Sequence, residues 1–189
     1  MKIFFDYFFA FFGLIIFSPF LIIIGLIILL SSKGPIMFTQ KRVGKNGKLF
    51  TIIKFRTMCV NNDKNTVSTK DDKRITKVGA FLRNYKLDEL PELINILFGQ
   101  MSFVGPRPDV PGYADKLKRE ERKILKLKPG ITGPASLKYA NEEEILSKVE
   151  NPIEYNDTVI YPDKVKINLY YYKNNNVWTD IKIIFKTIF

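Results

Sequence analysis

An unbroken apolar run, YFFAFFGLIIFSPFLIIIGLIILL, occupies residues 7 to 30, with Ser18 and Pro19 near its midpoint. As one straight helix it would rise roughly 36 Å, enough to cross the bilayer hydrocarbon with some tilt, whereas each half alone reaches only about the midplane. Pro19 has no amide hydrogen and its ring clashes with the preceding turn, so a bend is expected there, with Ser18 placed to rebond the freed backbone. Two membrane geometries follow: a kinked crossing, or a re-entrant hairpin that enters and leaves by one face. Lys2 precedes the run and Lys33, Lys41 and Arg42 follow it. Positive flanks on both sides lean towards the hairpin. Kinked transmembrane helices are common, however, and the residues alone leave both geometries open. A secretory signal fits poorly, because the LLSSKG after the run lacks a small-x-small cleavage site.

The anchor is taken as residues 1–32. The remainder, 33–189, suffices for one compact domain and is too short for two of ordinary size. Lys and Arg number 30 against 19 Asp and Glu, a net charge of +11 that falls outside the apolar run. Such a surface suits nucleic acid, anionic headgroups or phosphorylated substrates, or simply holds the domain to a leaflet. The single cysteine, Cys59, allows no internal disulfide and no CxxC site, which points to a reducing compartment. Histidine is absent, which excludes a His base, a Ser-His triad and a His-ligated zinc. Acid, base or nucleophile must come chiefly from carboxylates.

Two β-prone stretches, IMFTQKRV and KLFTIIKFRTM, flank GKNG, whose Asn46-Gly47 favours a hairpin turn. Alternation in the second places Ile52, Lys54 and Arg56 on one face, so the two cations project together, as a solvated face or an anion site. Residues 59 to 73 are polar and read as a mobile loop or lid. Val78, Phe81, Leu82 and Tyr85, then Leu90, Leu93, Ile94, Leu97 and Met101, recur at helical spacing, with Pro91 suited to a first helical turn. GPRP and PGITGP are rigid turns framing a charged helix over roughly 113–127, and a further helix is expected near Asn141, with Glu144 at its capping-box position. At the C-terminus Trp178, Ile181, Ile184, Phe185 and Ile188 form one stripe, suited to the headgroup layer or to ordinary core packing. The fold class is α+β, mostly helical: a re-entrant membrane helix hairpin, a small β-hairpin and several amphipathic interfacial helices.

No nucleotide-binding glycine loop and no HExxH is present. Asp88 and Glu89 are adjacent, so on a helix their side chains diverge by about 100° and cannot share a proton, though they can flank one metal ion or phosphate. A helix N-terminus would lower the Asp88 pKa and keep it ionised as nucleophile or Mg2+ ligand. Alone, the pair reads more simply as an N-cap and a first-turn charge. Arg107 lies between Pro106 and Pro108, whose fixed φ angles make its guanidinium a well-placed fork for phosphate oxygens. Arg83, Lys54 and Arg56 could complete a basic pocket around the acids.

Together these segments match a pattern. Ser18-Pro19, FTQKRVG followed by KFRTM, LDELPELINIL, and MSFVGPRP followed by PGITG occur in an order and spacing that cover nearly the whole chain. The sequence resembles the small monotopic phosphoglycosyl transferases of the bacterial sugar transferase family, polyprenyl-phosphate phosphoglycosyl-1-phosphate transferases. The resemblance implies a re-entrant anchor bent at Ser18-Pro19, on the cytoplasmic face of the bacterial inner membrane. It implies Asp88 and Glu89 as the catalytic dyad and Mg2+ as cofactor, with Asp88 and Glu89 as its ligands and Lys54, Arg83 and Arg107 as phosphate contacts. The implied reaction has two steps: Asp88 attacks the β-phosphate of a UDP-sugar, UMP leaves, and undecaprenyl phosphate then takes the phosphosugar. This would be the first membrane step of glycoconjugate synthesis, with UDP-sugar, undecaprenyl phosphate and membrane lipids as partners and no nucleic acid. No auxiliary catalytic domain is expected, since the pattern fills the chain.

Two departures bear on substrate choice. PGITG continues as PASLKYAN, placing Ala140 where many relatives carry arginine, a contact that Lys138 could supply, and Asn168 stands where relatives often carry aspartate. The competing class is a membrane-tethered basic protein that binds nucleic acid or anionic lipid, for which Asp88 would be dispensable. An inactive relative is the third reading, suggested by Ala140.

Overall fold

The structure, a computed structural model, describes residues 2–59 and 72–188. Most of the polar stretch 59–73 therefore lies outside the described residues.

The apolar run forms one helix, α1 (Lys2–Ser31), with Pro19 inside it. Pro19 cannot donate to the Ile15 carbonyl, and Ser18 Oγ donates to that oxygen instead at 2.8 Å. The backbone repair expected from the Ser-Pro pair is thus present, but within a continuous helix rather than between the two helices of a hairpin. By length and composition α1 could cross a membrane. Most of its side chains face outward, including Phe4, Phe8, Phe11, Ile16, Phe20 and Leu30.

Both halves of α1 pack on the rest of the chain. Ala10 and Leu14 join Phe50, Ile52, Leu93, Ile96 and Met101 in one core cluster, while Leu21, Ile24 and Ile28 join Phe55 and Leu82 in another. Both ends are tied by polar contacts as well. Lys2 Nζ is 2.5 Å from Asp180 Oδ2, and Arg56 donates to the carbonyls of Ser32, at 2.8 Å, and Lys33 just past the helix. Arg56 thus satisfies carbonyls at the end of α1, where a cation is also favoured by the helix dipole. Its guanidinium is thus committed to backbone carbonyls, although the residue borders the same cavity as Lys54.

Strands β1 (Met37–Val43) and β2 (Leu49–Phe55) form the expected antiparallel hairpin, with Met37 opposite Phe55 and Val43 opposite Leu49. Asn46 and Gly47 at its tip take φ of 59° and 78°, the left-handed geometry that an Asn-Gly pair accepts readily. Helix α2 (Lys77–Asn84) is capped by Thr76, which accepts from the Gly79 amide at 2.8 Å. A 3-10 turn over Leu87–Glu89 leads to α3 (Glu92–Leu97), with Pro91 just ahead of it.

GPRP and PGITG prove to be more than turns. Each extends a short strand, β3 (Ser102–Val104) and β4 (Gly130–Thr132), and the two pair in parallel. Gly105 N donates to Thr132 O and Gly130 N to Pro106 O, each at 2.9 Å. The close approach needs glycine: a Cβ on Gly130 would lie 2.1 Å from Gly105 N. The charged helix expected over 113–127 is instead two 3-10 segments, Ala114–Lys116 and Glu121–Lys126, because Arg119 between them adopts φ 48°. Helices α4 (Pro134–Lys138), α5 (Glu142–Ser147), α6 (Pro152–Tyr155), α7 (Tyr161–Asn174) and α8 (Val177–Ile188) complete the fold. Asn141 precedes α5 as expected, yet its side chain makes no capping bond. On α8, Ile183 and Asp180 are buried while Trp178, Ile181, Phe185 and Ile188 are exposed, an amphipathic division.

Candidate active site

Asn95 fixes the site's frame. Wholly buried on α3, it accepts from Ile53 N at 3.0 Å and donates to Thr51 O at 2.8 Å, clamping α3 to β2. The next β2 residue, Lys54, then meets the acids at the start of α3. Its Nζ lies 2.8 Å from Glu89 Oε1 and 3.0 Å from Glu92 Oε1. Arg107 reaches the same Glu89 oxygen at 2.7 Å, from the loop that the β3–β4 pairing holds in place. Glu89 is therefore a buried carboxylate gripped by two cations.

Asp88 differs. Its carboxylate makes no hydrogen bond or ion pair among the described residues, and it lines a cavity of about 2100 Å³ together with Lys54, Arg83 and Arg107. Lys86, at φ 55°, turns the chain sharply before it. Burial, reinforced by the charge of Glu89, raises the Asp88 pKa against the opposing pull of Lys54, Arg83 and Arg107. The lowered value expected at a helix N-terminus is not found, because a single 3-10 turn supplies a weaker dipole than the burial it must offset. Burial also pushes Glu89 upward, but Arg107 and Lys54 override it and hold that carboxyl well below its ordinary range.

Arg83 is turned to Glu143 on α5, with which it forms an ion pair. It still lines the cavity, near enough to act on the Asp88 charge. Ala140 also borders the cavity. Lys138 does not take over there: it pairs with Asp163 at 2.7 Å. Asn168 borders the cavity, buried, with Oδ1 lacking a hydrogen-bond partner among the described residues. Ser18 and Pro19 belong to α1 and lie outside the catalytic cluster. Cys59 is free and exposed.

Two residues were not singled out from sequence. Glu92, almost fully buried, is pushed by burial to a pKa of about 7, with the charge of Glu89 adding to the rise and Lys54 opposing it. Its i, i+3 spacing from Glu89 on a helix was the available signal. Arg42 donates to Pro108 O at 3.1 Å and so braces the backbone beside Arg107. Its signal was the position two residues after Gln40 on one strand face, and Gln40 Oε1 accepts from it at 2.6 Å.

Among the described residues no group of three or more potential protein ligands could enclose a metal. The donor set nevertheless suits Mg2+, which typically uses one or two carboxylates and completes its shell with water and substrate phosphate. Asp88, an unengaged carboxylate at the cavity wall, fits that role. Glu89 fits less well, since Lys54 and Arg107 share its Oε1.

A carboxylate left unengaged among the described residues, in a cavity lined both by Lys54 and Arg107 and by phenyl rings of α1, is chemically suited to phosphate anions beside an apolar surface. The comparisons agree with that class. A family model described as "Bacterial sugar transferase" matches residues 1–189, and the chain belongs to that family. It is 42% identical over 182 residues to UDP-glucose:undecaprenyl-phosphate glucose-1-phosphate transferase of Klebsiella pneumoniae, covering 93% of this chain and 37% of that protein. It is 37% identical over 180 residues to UDP-N-acetylgalactosamine-undecaprenyl-phosphate N-acetylgalactosaminephosphotransferase of Aeromonas hydrophila, covering 92% and 39%. With the exopolysaccharide production protein PSS of Rhizobium leguminosarum bv. phaseoli it shares 35% identity over 195 residues, covering 97% and 91%. The chain thus spans little more than a third of the first two relatives and nearly all of the third.

Proposed function

We propose that this protein transfers a sugar 1-phosphate from a UDP-sugar to undecaprenyl phosphate, as the first membrane step in assembling a bacterial polysaccharide or other glycoconjugate. The observation that carries the reading is Asp88: a carboxylate without a partner among the described residues, in a cavity lined both by Lys54, Arg83 and Arg107 and by Phe8, Phe9, Phe12 and Phe17 of α1. The two substrates have opposite solubilities, and this one space offers a surface to each.

In the first step an Asp88 oxygen attacks the β-phosphorus, the bond from that phosphorus to the bridging oxygen breaks, and UMP leaves with the electron pair. The carboxyl is then a mixed anhydride with the phosphosugar. In the second step a phosphate oxygen of undecaprenyl phosphate attacks the same phosphorus, forming the lipid diphosphosugar and restoring the Asp88 carboxylate. A covalent intermediate divides one displacement between a soluble and a lipid substrate into two simpler ones. Glu89 holds Lys54 and Arg107 at the cavity, and Arg107 and Lys54 are positioned to meet the diphosphate oxygens. Mg2+ bound at Asp88 would neutralise charge on the diphosphate and on departing UMP.

Residues 1–32 are read as the membrane anchor and 33–189 as the catalytic domain, facing the cytoplasm of the bacterial inner membrane. The contacts at both ends of α1 support a helix that enters and leaves by one face, since Lys2 and the Ser32–Lys33 carbonyls are bound by the same domain. Exposed Trp178 and Phe185 on α8 would add to the footing.

The test is UMP release from a panel of UDP-sugars, including UDP-glucose and UDP-N-acetylgalactosamine, with undecaprenyl phosphate present. Asp88→Asn should lower turnover by on the order of a thousandfold or more while the protein stays folded. Retained turnover in that variant would rule out the covalent route. A polyanion-binding protein would release no UMP at all and would bind no worse after the substitution.

A further inference from the structure

Between α1 and α8 runs a groove of about 520 Å³, walled by Phe4, Phe5, Phe8, Phe9, Val177 and Ile181. The polar groups at its floor are engaged with one another and with the backbone. Lys2 Nζ donates to Asp180 Oδ2 at 2.5 Å and to Val104 O at 2.9 Å, and Asp6 Oδ1 accepts from Ser102 Oγ at 3.1 Å. What the groove offers a ligand is therefore hydrocarbon contact.

Phe8, Phe9, Phe103 and Ile184 line this groove and also line the cavity that holds Asp88. The two spaces adjoin across that set of side chains, and Phe103 belongs to β3, the strand that leads into Arg107. Phe4 and Ile181, on the groove's outer walls, are exposed on the apolar surface of α1 and α8. A path of apolar side chains therefore runs from that surface to the phosphate-handling cavity.

We propose that this groove takes the isoprenoid chain of the acceptor lipid and guides its phosphate past Phe8 and Phe103 to Asp88. The inference rests on the two-step reading above. A nucleotide sugar presents no hydrocarbon to such a groove. A polyprenyl phosphate must bring its phosphate to the carboxylate while its chain stays out of water, and burying that chain beside the reacting end supplies affinity that the phosphate alone does not. Acyl chains of the surrounding bilayer are the competing occupant.

The two half-reactions separate these possibilities. Exchange of labelled UMP into a UDP-sugar, without acceptor, reads the donor step alone. Val177 and Ile181 line the groove and not the donor cavity, so Ile181→Trp and Val177→Trp should leave this exchange unchanged. Each should raise the KM for undecaprenyl phosphate by roughly tenfold, the equivalent of excluding about two methylene groups, and should leave the KM for geranyl phosphate unchanged. An unaltered KM for undecaprenyl phosphate with exchange intact, or an equal rise for both acceptors, would overturn the groove assignment alone. Absence of exchange in the unsubstituted protein would overturn the two-step reading and the groove with it.

Discussion

Asp88 and Glu89 are neighbours in sequence and opposites in electrostatics. Glu89 is pinned by Lys54 and Arg107 and stays ionised, whereas Asp88 has no partner among the described residues and its charge is disfavoured by burial. The adjacency of the two acids was legible, as were Lys54 and Arg107 near them, whereas Arg83 and Arg56 turn to Glu143 and to backbone carbonyls. The division of labour was not legible, because Lys54 and Arg107, the cations that grip Glu89 rather than Asp88, lie far from it in sequence. The same holds for Glu92, whose position beside a helix start reads as an ordinary first-turn charge. Its pKa of about 7 has a consequence for stability. Below the unfolded-state pKa the side chain is neutral in both states; between there and about pH 7 only the unfolded chain ionises, so folding loses stability as pH rises through that window. Glu92→Gln removes the loss. The variant should match the parent's unfolding midpoint near pH 4 and exceed it at pH 8, by on the order of 1–3 kcal/mol in chemical denaturation. Equal stabilities at both pH values would show that Glu92 ionises freely in the fold.

At the scale of elements, the hairpin and helices α2 and α3 could be read because Asn46-Gly47, Thr76 and the spacing of Leu90, Leu93 and Leu97 are local signals. The β3–β4 pair could not, since three-residue strands carry no alternation and their partner lies far along the chain. Nor did KLKREERKILK contain a breaker to announce the left-handed turn at Arg119. Yet this pairing explains why GPRP and PGITG belong together: the glycines of one let the backbone of the other approach, and Arg107 is carried on the result. Gly130→Ala would force a Cβ to 2.1 Å from Gly105 N and 2.6 Å from Thr132 O, both backbone atoms with little room to move. It should destabilise the fold by about 3 kcal/mol or more and depress UMP release, measured by thermal unfolding and donor turnover. A variant with the parent's melting temperature would mean that the two segments are not held this tightly.

The whole molecule is organised around α1, which is apolar enough to lie in lipid and yet contributes to two core clusters of the domain. The sequence announced a long apolar helix and the role of Ser18. It did not announce that α1 stays helical through Pro19, or that Arg56 and Asp180 secure its two ends. Both ends should therefore face the cytoplasm. In a Cys59→Ser background, Ile3→Cys and Lys33→Cys should each react with a membrane-impermeant maleimide in inverted inner-membrane vesicles and neither in intact spheroplasts; labelling of position 3 from outside would mean that α1 crosses the bilayer. On the proposed reading this geometry serves one chemical event at Asp88. The most direct measurement is intact and peptide-level mass spectrometry of protein quenched with UDP-sugar and Mg2+ in the absence of acceptor lipid. The account predicts a phosphosugar adduct on the peptide bearing Asp88, lost on adding undecaprenyl phosphate and absent from Asp88→Asn. UMP released during acceptor-dependent turnover, with no adduct on that carboxyl, would contradict it.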